Sequence, residues 1–177
     1  MHNSHQSFAA RQRMLDWDGD ASNQVIWFTD VATADGARFD QTPLAFQVID
    51  EWMANIEANP RRSVAQNKPT AAVDSCFDND GQLIHRGADA WDGVLDARPA
   101  GPCTEYFDLY STSRIVAGAP ITGDIFKCHT QSVGEAISRG SYGEVSFTET
   151  QRERLDAIFA DGVCDYSRGD ARRPATL

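Results

Sequence analysis

Three stretches of the chain read as helices. From Ser7 to Leu15, Phe8, Arg11 and Leu15 fall along one side, with Ser7 in the N-cap position. The turn-forming run Asp16-Trp17-Asp18-Gly19-Asp20 then stops the element. The clearest helix is Pro43 to Ala58, where Ala45, Val48, Ile49, Trp52, Met53 and Ile56 recur at i, i+3, i+4 spacing. Thr42 stands where a cap belongs, Pro43 suits the first helical position, and Asn59-Pro60 ends the run. So wide an apolar stripe predicts packing against something substantial. The last helix, Glu149 to Ala160, has the capping-box pair Thr148 and Gln151, an apolar face of Leu155, Ile158 and Phe159, and Gly162 as its stop.

Between the first two helices, Val25-Ile26-Trp27-Phe28 is an unbroken apolar run bounded by turn signals. This predicts a short strand within Asn23 to Phe28, buried on both faces as in a parallel sheet. Helix, strand, helix is the order found at the edge of an α/β sheet. From Asn67 to Gly143 the character changes to Gly, Pro, Asp and Ser with short apolar islands at Leu83-Ile84, Val94-Leu95, Ile115-Val116 and Ile125-Phe126. An irregular region of this length needs covalent ties. The tail beyond Asp165 is polar and reads as frayed. The expected division is therefore 1–62 as helix–strand–helix and 63–177 as an irregular extension with a C-terminal helix.

Composition supports a folded chain: 41% hydrophobic, with nine Phe, four Trp and four Tyr to fill a core. Acids outnumber bases 26 to 16, for a net charge of −10. That sign argues against nucleic acid and anionic membrane surfaces as partners. No apolar run approaches the ~20 residues of a membrane helix. The residues from Met1 to Ser7 lack the basic and apolar regions of a signal peptide, which points to a mature or truncated form or to a cytoplasmic chain. Cys76, Cys103, Cys128 and Cys164 form no C-x-x-C pair, so a zinc ribbon or thioredoxin-type site is not indicated. Their even number and wide spacing suit two disulfides, which favours a secreted or periplasmic location. Three pairings exist and sequence does not choose among them. Cys76–Cys103 with Cys128–Cys164 is preferred because each closes a loop of about 30 residues.

The chemistry-bearing residues are sparse. A serine hydrolase needs a nucleophile on a sharp turn, commonly G-x-S-x-G, with a His and an acid. Gly140-Ser141-Tyr142-Gly143 is only glycine punctuation, and the elbow is missing. His2 and His5, close to the start, read on sequence alone as solvated, and His85 and His129 are isolated. Asp78-Asn79-Asp80-Gly81 resembles the middle of an EF-hand, but the first and twelfth positions hold Cys76 and Gly87. What survives is an irregular calcium site drawn from Asp74, Asp78 and Asp80, set against the ordinary use of such runs as turns. Trp91-Asp92-Gly93 and Tyr106-Phe107-Asp108-Leu109-Tyr110 set aromatics beside acids, as sugar-binding surfaces do, or as the miniature core of an irregular region.

An ordered set of stretches carries a further signal: Asn23 to Trp27, Asn67-Lys68-Pro69, Trp91-Asp92-Gly93, Ser113 to Pro120, Lys127-Cys128 and Ile158 to Tyr166. Together they resemble the C-terminal portion of a family of bacterial exported α/β-hydrolase-like proteins, the domain of unknown function 6351. The resemblance runs from His2 to about Gly169. It implies an α/β class, with residues 1–62 as the last helix–strand–helix of a hydrolase-like sheet. It also implies a longer protein whose N-terminal half supplies most of the sheet and the nucleophile, with an ester as substrate by fold analogy. In the family this segment follows an Asp-x-His pattern, and His2 matches its His, which makes His2 the candidate for a remnant general base. The acid that precedes it in the family is not in this sequence.

The expectation is thus a C-terminal segment of a hydrolase-like, ester-cleaving exported protein, inactive alone, with no cofactor unless calcium binds. Its partner would be the hydrolase half, or another copy of itself. The alternative is a stand-alone secreted binding module for carbohydrate or calcium. A third reading is an interaction subunit that docks through the helix Pro43–Ala58.

Overall fold

A computed structural model describes residues 5–29 and 39–174. The chain forms two compact units, Met1–Tyr110 and Ser111–Leu177. Its class is α/β: short helices with two small sheets, each unit tied by one disulfide.

In the first unit, α1 spans His5–Asp18 and β1 spans Trp27–Thr29. α2 follows at Thr42–Ala58, then a single 3-10 turn at Ala65–Asn67, and β2 at Ser75–Phe77. β3 is Leu83–Arg86 and α3 is Pro102–Tyr106. β1 and β2 pair in parallel, Trp27 opposite Ser75, and β2 pairs antiparallel with β3, Cys76 opposite His85. A parallel pair cannot be closed by a tight turn, so the segment carrying α2 serves as the crossover. The compact units divide after Tyr110, so the boundary expected at residue 62 falls inside the first of them. The first strand finds its neighbour beyond that point, and the sheet draws residues up to Tyr110 into one unit.

Aromatic rings make the core of this unit. Phe28 lies 4.7 Å from Trp91 and 6.0 Å from Phe107 between ring centroids, and Phe8 lies 5.4 Å from Trp91. The Trp91 indole N–H donates to the Ile26 carbonyl at 3.2 Å, so the ring is buried without stranding its polar atom. Cys76–Cys103 is fully buried and links β2 to α3. Burial of Phe8 alone is worth about 2 kcal/mol, and it is what seats α1. An ion pair fixes the same helix. Arg11 grips Asp74 with two nitrogens at 2.5 and 2.9 Å, and Asp74 also accepts the Ile26 N–H at 2.8 Å. α1 is longer than the expected Ser7–Leu15, so Ser7 lies inside the helix and does not cap it.

α2 matches its expected span, yet none of its residues is buried. Thr42 does not cap it; Gln41 holds the N-cap place, and the Asp40 carboxylate accepts the Thr42 N–H at 2.9 Å. Asn59 closes the other end. The helix is moored at its C-terminal half by polar bonds, the Trp52 indole N–H to the Val64 carbonyl at 2.8 Å and the Asn55 amide to the Asn67 carbonyl at 3.2 Å. Asn67, itself buried, donates to the carbonyls of Asn59, Arg62 and Ser63 and so gathers the chain leaving α2.

In the second unit, α4 is Ser113–Val116, β4 Cys128–Gln131, α5 Val133–Ser138, α6 Glu149–Ile158 and β5 Val163–Asp170. β4 and β5 pair antiparallel, and Cys128–Cys164 bonds the two strands covalently. Both longer helices open with reciprocal capping boxes, Ser132 with Glu135 and the expected Thr148 with Gln151. Gly162 has φ +89°, and a Cβ there would stand 2.4 Å from the Gln131 carbonyl oxygen. Only glycine lets the chain turn this tightly against β4. The frayed tail expected beyond Asp165 is instead the body of β5. Asp165 is buried, takes the Ser167 hydroxyl at 2.5 Å and is bridged by Arg139 at 2.9 Å.

Candidate functional site

Nucleophiles come first, because they decide which reactions the described residues can support. All four cysteines are in disulfides, paired Cys76–Cys103 and Cys128–Cys164 as preferred from loop length, so no thiolate is available. Ser75 sits on β2 beside Cys76, whose cross-strand partner is His85, but its hydroxyl donates to the Val73 carbonyl at 2.8 Å. His85 itself pairs with Asp89 at 2.8 Å, and this hydrogen bond holds the Asp89 carboxyl below the usual carboxylate range. The pair has the base-and-orienter half of a triad, without a serine directed at it among the hydrogen bonds of the described residues.

The two N-terminal histidines part company. His2, the candidate remnant base, lies outside the described residues. His5, expected to be solvated, is 6% exposed as the first residue of α1, one turn before Phe8. Burial pushes its pKa down, which favours the neutral imidazole. The α1 helix is one turn longer at its start than local signals predict, and that extra turn carries His5 into the core. His129 lies on β4 opposite Asp165 in the register and is half-buried.

Two of the three carboxylates considered for calcium, Asp74 and Asp78, have other work. Asp74 is spent on Arg11 and the Ile26 N–H. Asp78 closes its own turn, accepting the N–H groups of Asp80 and Gln82 at 3.0 and 2.8 Å, and Gly81 completes that turn at φ +81°. Asp80 is exposed. Among the described residues no group of three His, Cys, Asp or Glu is placed to hold a metal ion. The Arg11–Asp74 link was missed in sequence. Its signal was an arginine on the same side of a helix as a core phenylalanine, which needs a buried acid to meet it.

The aromatic–acid loops divide in the same way. Trp91 belongs to the core, and its neighbour Asp92 pairs with Arg98 at 3.1 Å. Phe107 joins that core through Phe28, whereas Tyr106 and Tyr110 remain exposed. Trp91 cannot stack on a sugar from where it lies.

A groove of about 520 Å³ lies in the first unit between α2 and the strand segment before it. Val25, Trp27 and Ala72 form one wall; Ala45, Phe46, Ile49 and Trp52 form the other. Asn23, Gln24, Gln41 and Thr42 add uncharged polar groups. Both indoles are pinned by their N–H groups, Trp27 to the Val73 carbonyl at 2.6 Å and Trp52 to the Val64 carbonyl at 2.8 Å. The groove can hold apolar surface; it carries no acid or base for covalent chemistry among its described lining residues. Sequence placed the α2 stripe but could not show that it would be left uncovered.

A family model described as a tannase-like family of unknown function (DUF6351) matches residues 1–175. No curated protein matches the chain, and no solved structure does.

Proposed function

This chain belongs to the tannase-like family of unknown function, and from that premise we propose that it is the C-terminal segment of an exported, ester-cleaving hydrolase-like protein. In this reading it contributes scaffold and flanking surface, and the attacking serine comes from a hydrolase segment with which it acts. The observation that carries the reading is the state of the nucleophiles: every cysteine is oxidised, and the His85–Asp89 pair has no hydroxyl partner among the described residues. The α/β mixture of the first unit, with a parallel strand pair crossed over by a helix, agrees with descent from a hydrolase-like sheet. Two disulfides favour an oxidising compartment outside the cytoplasm, and among the described residues no helix is long and apolar enough to cross a membrane.

The purified chain should give no turnover of p-nitrophenyl acetate or butyrate above the buffer rate. Mixing it with a hydrolase segment that carries G-x-S-x-G, encoded beside it, should raise that segment's activity or its solubility. Steady turnover by the chain alone, blocked by a serine-directed phosphonate, would overturn the proposal.

A further inference from the structure

The apolar side of α2 is open where a 17-residue helix would ordinarily be covered. Phe46, Ile49 and Met53 are 68%, 55% and 53% exposed. They stand at i, i+3 and i+7, the spacing with which one helix receives another along a seam. Phe46 and Ile49 also line the groove over Val25 and Trp27, so seam and groove are one continuous apolar surface. The indole rings in it are already fixed by backbone carbonyls, so little side-chain freedom remains to be lost when the surface is covered.

Charge decides what fits. The two stretches that build the groove, 16–29 and 39–58, contain seven acids and no lysine or arginine. Asp20, Asp40, Asp50 and Glu57 are exposed among them. The bases around it are engaged or lie outside its lining: Lys68 donates to the Ser22 carbonyl at 2.9 Å, Arg11 donates to Gln24 at 3.0 Å and holds Asp74, and Arg86 lines an adjoining hollow with Trp27 and Val48. A second copy of the chain would bring acids against acids, and its net charge of −10 adds to the repulsion. Anionic membrane is disfavoured for the same reason.

We propose that the groove between α2 and the β1 segment is a docking site for an amphipathic helix of a partner polypeptide, apolar along one side and flanked by lysine or arginine. The partner's apolar side lies over Phe46, Ile49, Met53 and Trp27, and its basic flanks meet Asp50 and Glu57 on one side and Asp20 or Asp40 on the other. This surface is independent of ester chemistry, so ester turnover by the chain alone, which would overturn the proposed function, leaves the inference standing.

The test uses the full chain and a fluorescent Leu/Lys peptide of about 18 residues, matched to the ~25 Å length of α2, followed by anisotropy. The controls are a Leu/Glu peptide of the same pattern and a scrambled Leu/Lys peptide that cannot form an apolar side. The patterned Leu/Lys peptide should bind, lose affinity as salt rises, and weaken by about tenfold or more in the Phe46→Ser/Ile49→Ser/Met53→Ser variant. Because these side chains face solvent, circular dichroism of that variant should match the parent. In Asp50→Lys/Glu57→Lys the preference should move toward the Leu/Glu peptide. Equal binding of the scrambled peptide would reduce the effect to bulk charge and overturn the proposal. So would binding indifferent to the seam substitutions, or a stable dimer of the chain alone at micromolar concentration in sedimentation.

Discussion

Asp74 shows how one side chain can be read two ways. In a run of acids it looks like a cation ligand; in the folded chain it is the anchor of α1, holding Arg11 by two bonds and the Ile26 N–H by a third. Both partners of the pair are mostly shielded, with side-chain exposures of 15% and 13%. Removing one charge would leave the other without its match in a poorly solvated place. Asp74→Asn should therefore cost about 2–3 kcal/mol in chemical denaturation, and Arg11→Met a similar amount. The double variant should cost less than the two singles combined. Added calcium should leave the parent's unfolding midpoint unmoved if Asp74 has no role beyond this pair. His5 supplies a second residue-level expectation. Its folded pKa lies below the 6.5 of a free imidazole because burial opposes charging. The stability tied to its neutral form is complete above that value and is lost as pH falls below it. Unfolding followed from pH 7 to about pH 5 should show declining stability in the parent and a flatter profile in His5→Gln. Asp165 sits on the other side of the ledger. The Ser167 hydroxyl, with Arg139, holds its pKa below 3.8, so its contribution persists above that pH and fails only in stronger acid. The two effects occupy separate windows and can be told apart.

At the scale of elements, legibility followed how local the causes were. α2 and α6 were placed closely from periodicity and end signals, and the Thr148–Gln151 capping box is present as expected. Those signals act within one or two turns of chain, so they survive folding unchanged. β1 was placed within a few residues, and its parallel pairing was anticipated from the unbroken apolar run, though Trp27 and Phe28 are only half-buried. β5 was missed. Its sequence, Val163 to Asp170, is polar and has no strand alternation; it is a strand because β4 lies alongside and Cys164 ties it there. Nothing within the segment announces that. The expected cover for the α2 stripe is the opposite failure: the stripe is real, and none of its residues is buried.

The whole molecule is two units, each closed by its own disulfide, and this makes their covalent stabilities separable. Cys76–Cys103 spans 27 residues with both sulfurs buried, and Cys128–Cys164 spans 36 with Cys164 exposed and Cys128 half-buried. Loop entropy assigns each about 3–4 kcal/mol, but access to reductant differs. Mild dithiothreitol under native conditions should open Cys128–Cys164 first, as read by alkylation and peptide mapping, with Cys76–Cys103 reduced only as the first unit unfolds. Simultaneous reduction of both would contradict this picture.

Sequence alone determined features that arise from neighbouring residues: the spans of α2 and α6, the Thr148–Gln151 capping box, the acidic balance, and the lack of a serine elbow. It also carried the family resemblance, because an ordered set of short stretches survives without any knowledge of contacts. Tertiary structure decided which cysteines pair, that Trp91 is core and not surface, that Asp74 meets Arg11, that His5 is buried, and that α2 keeps an open apolar side. Each of those outcomes depends on residues tens of positions apart arriving at one place. A burial or a charge pair has its energy only once both surfaces are present.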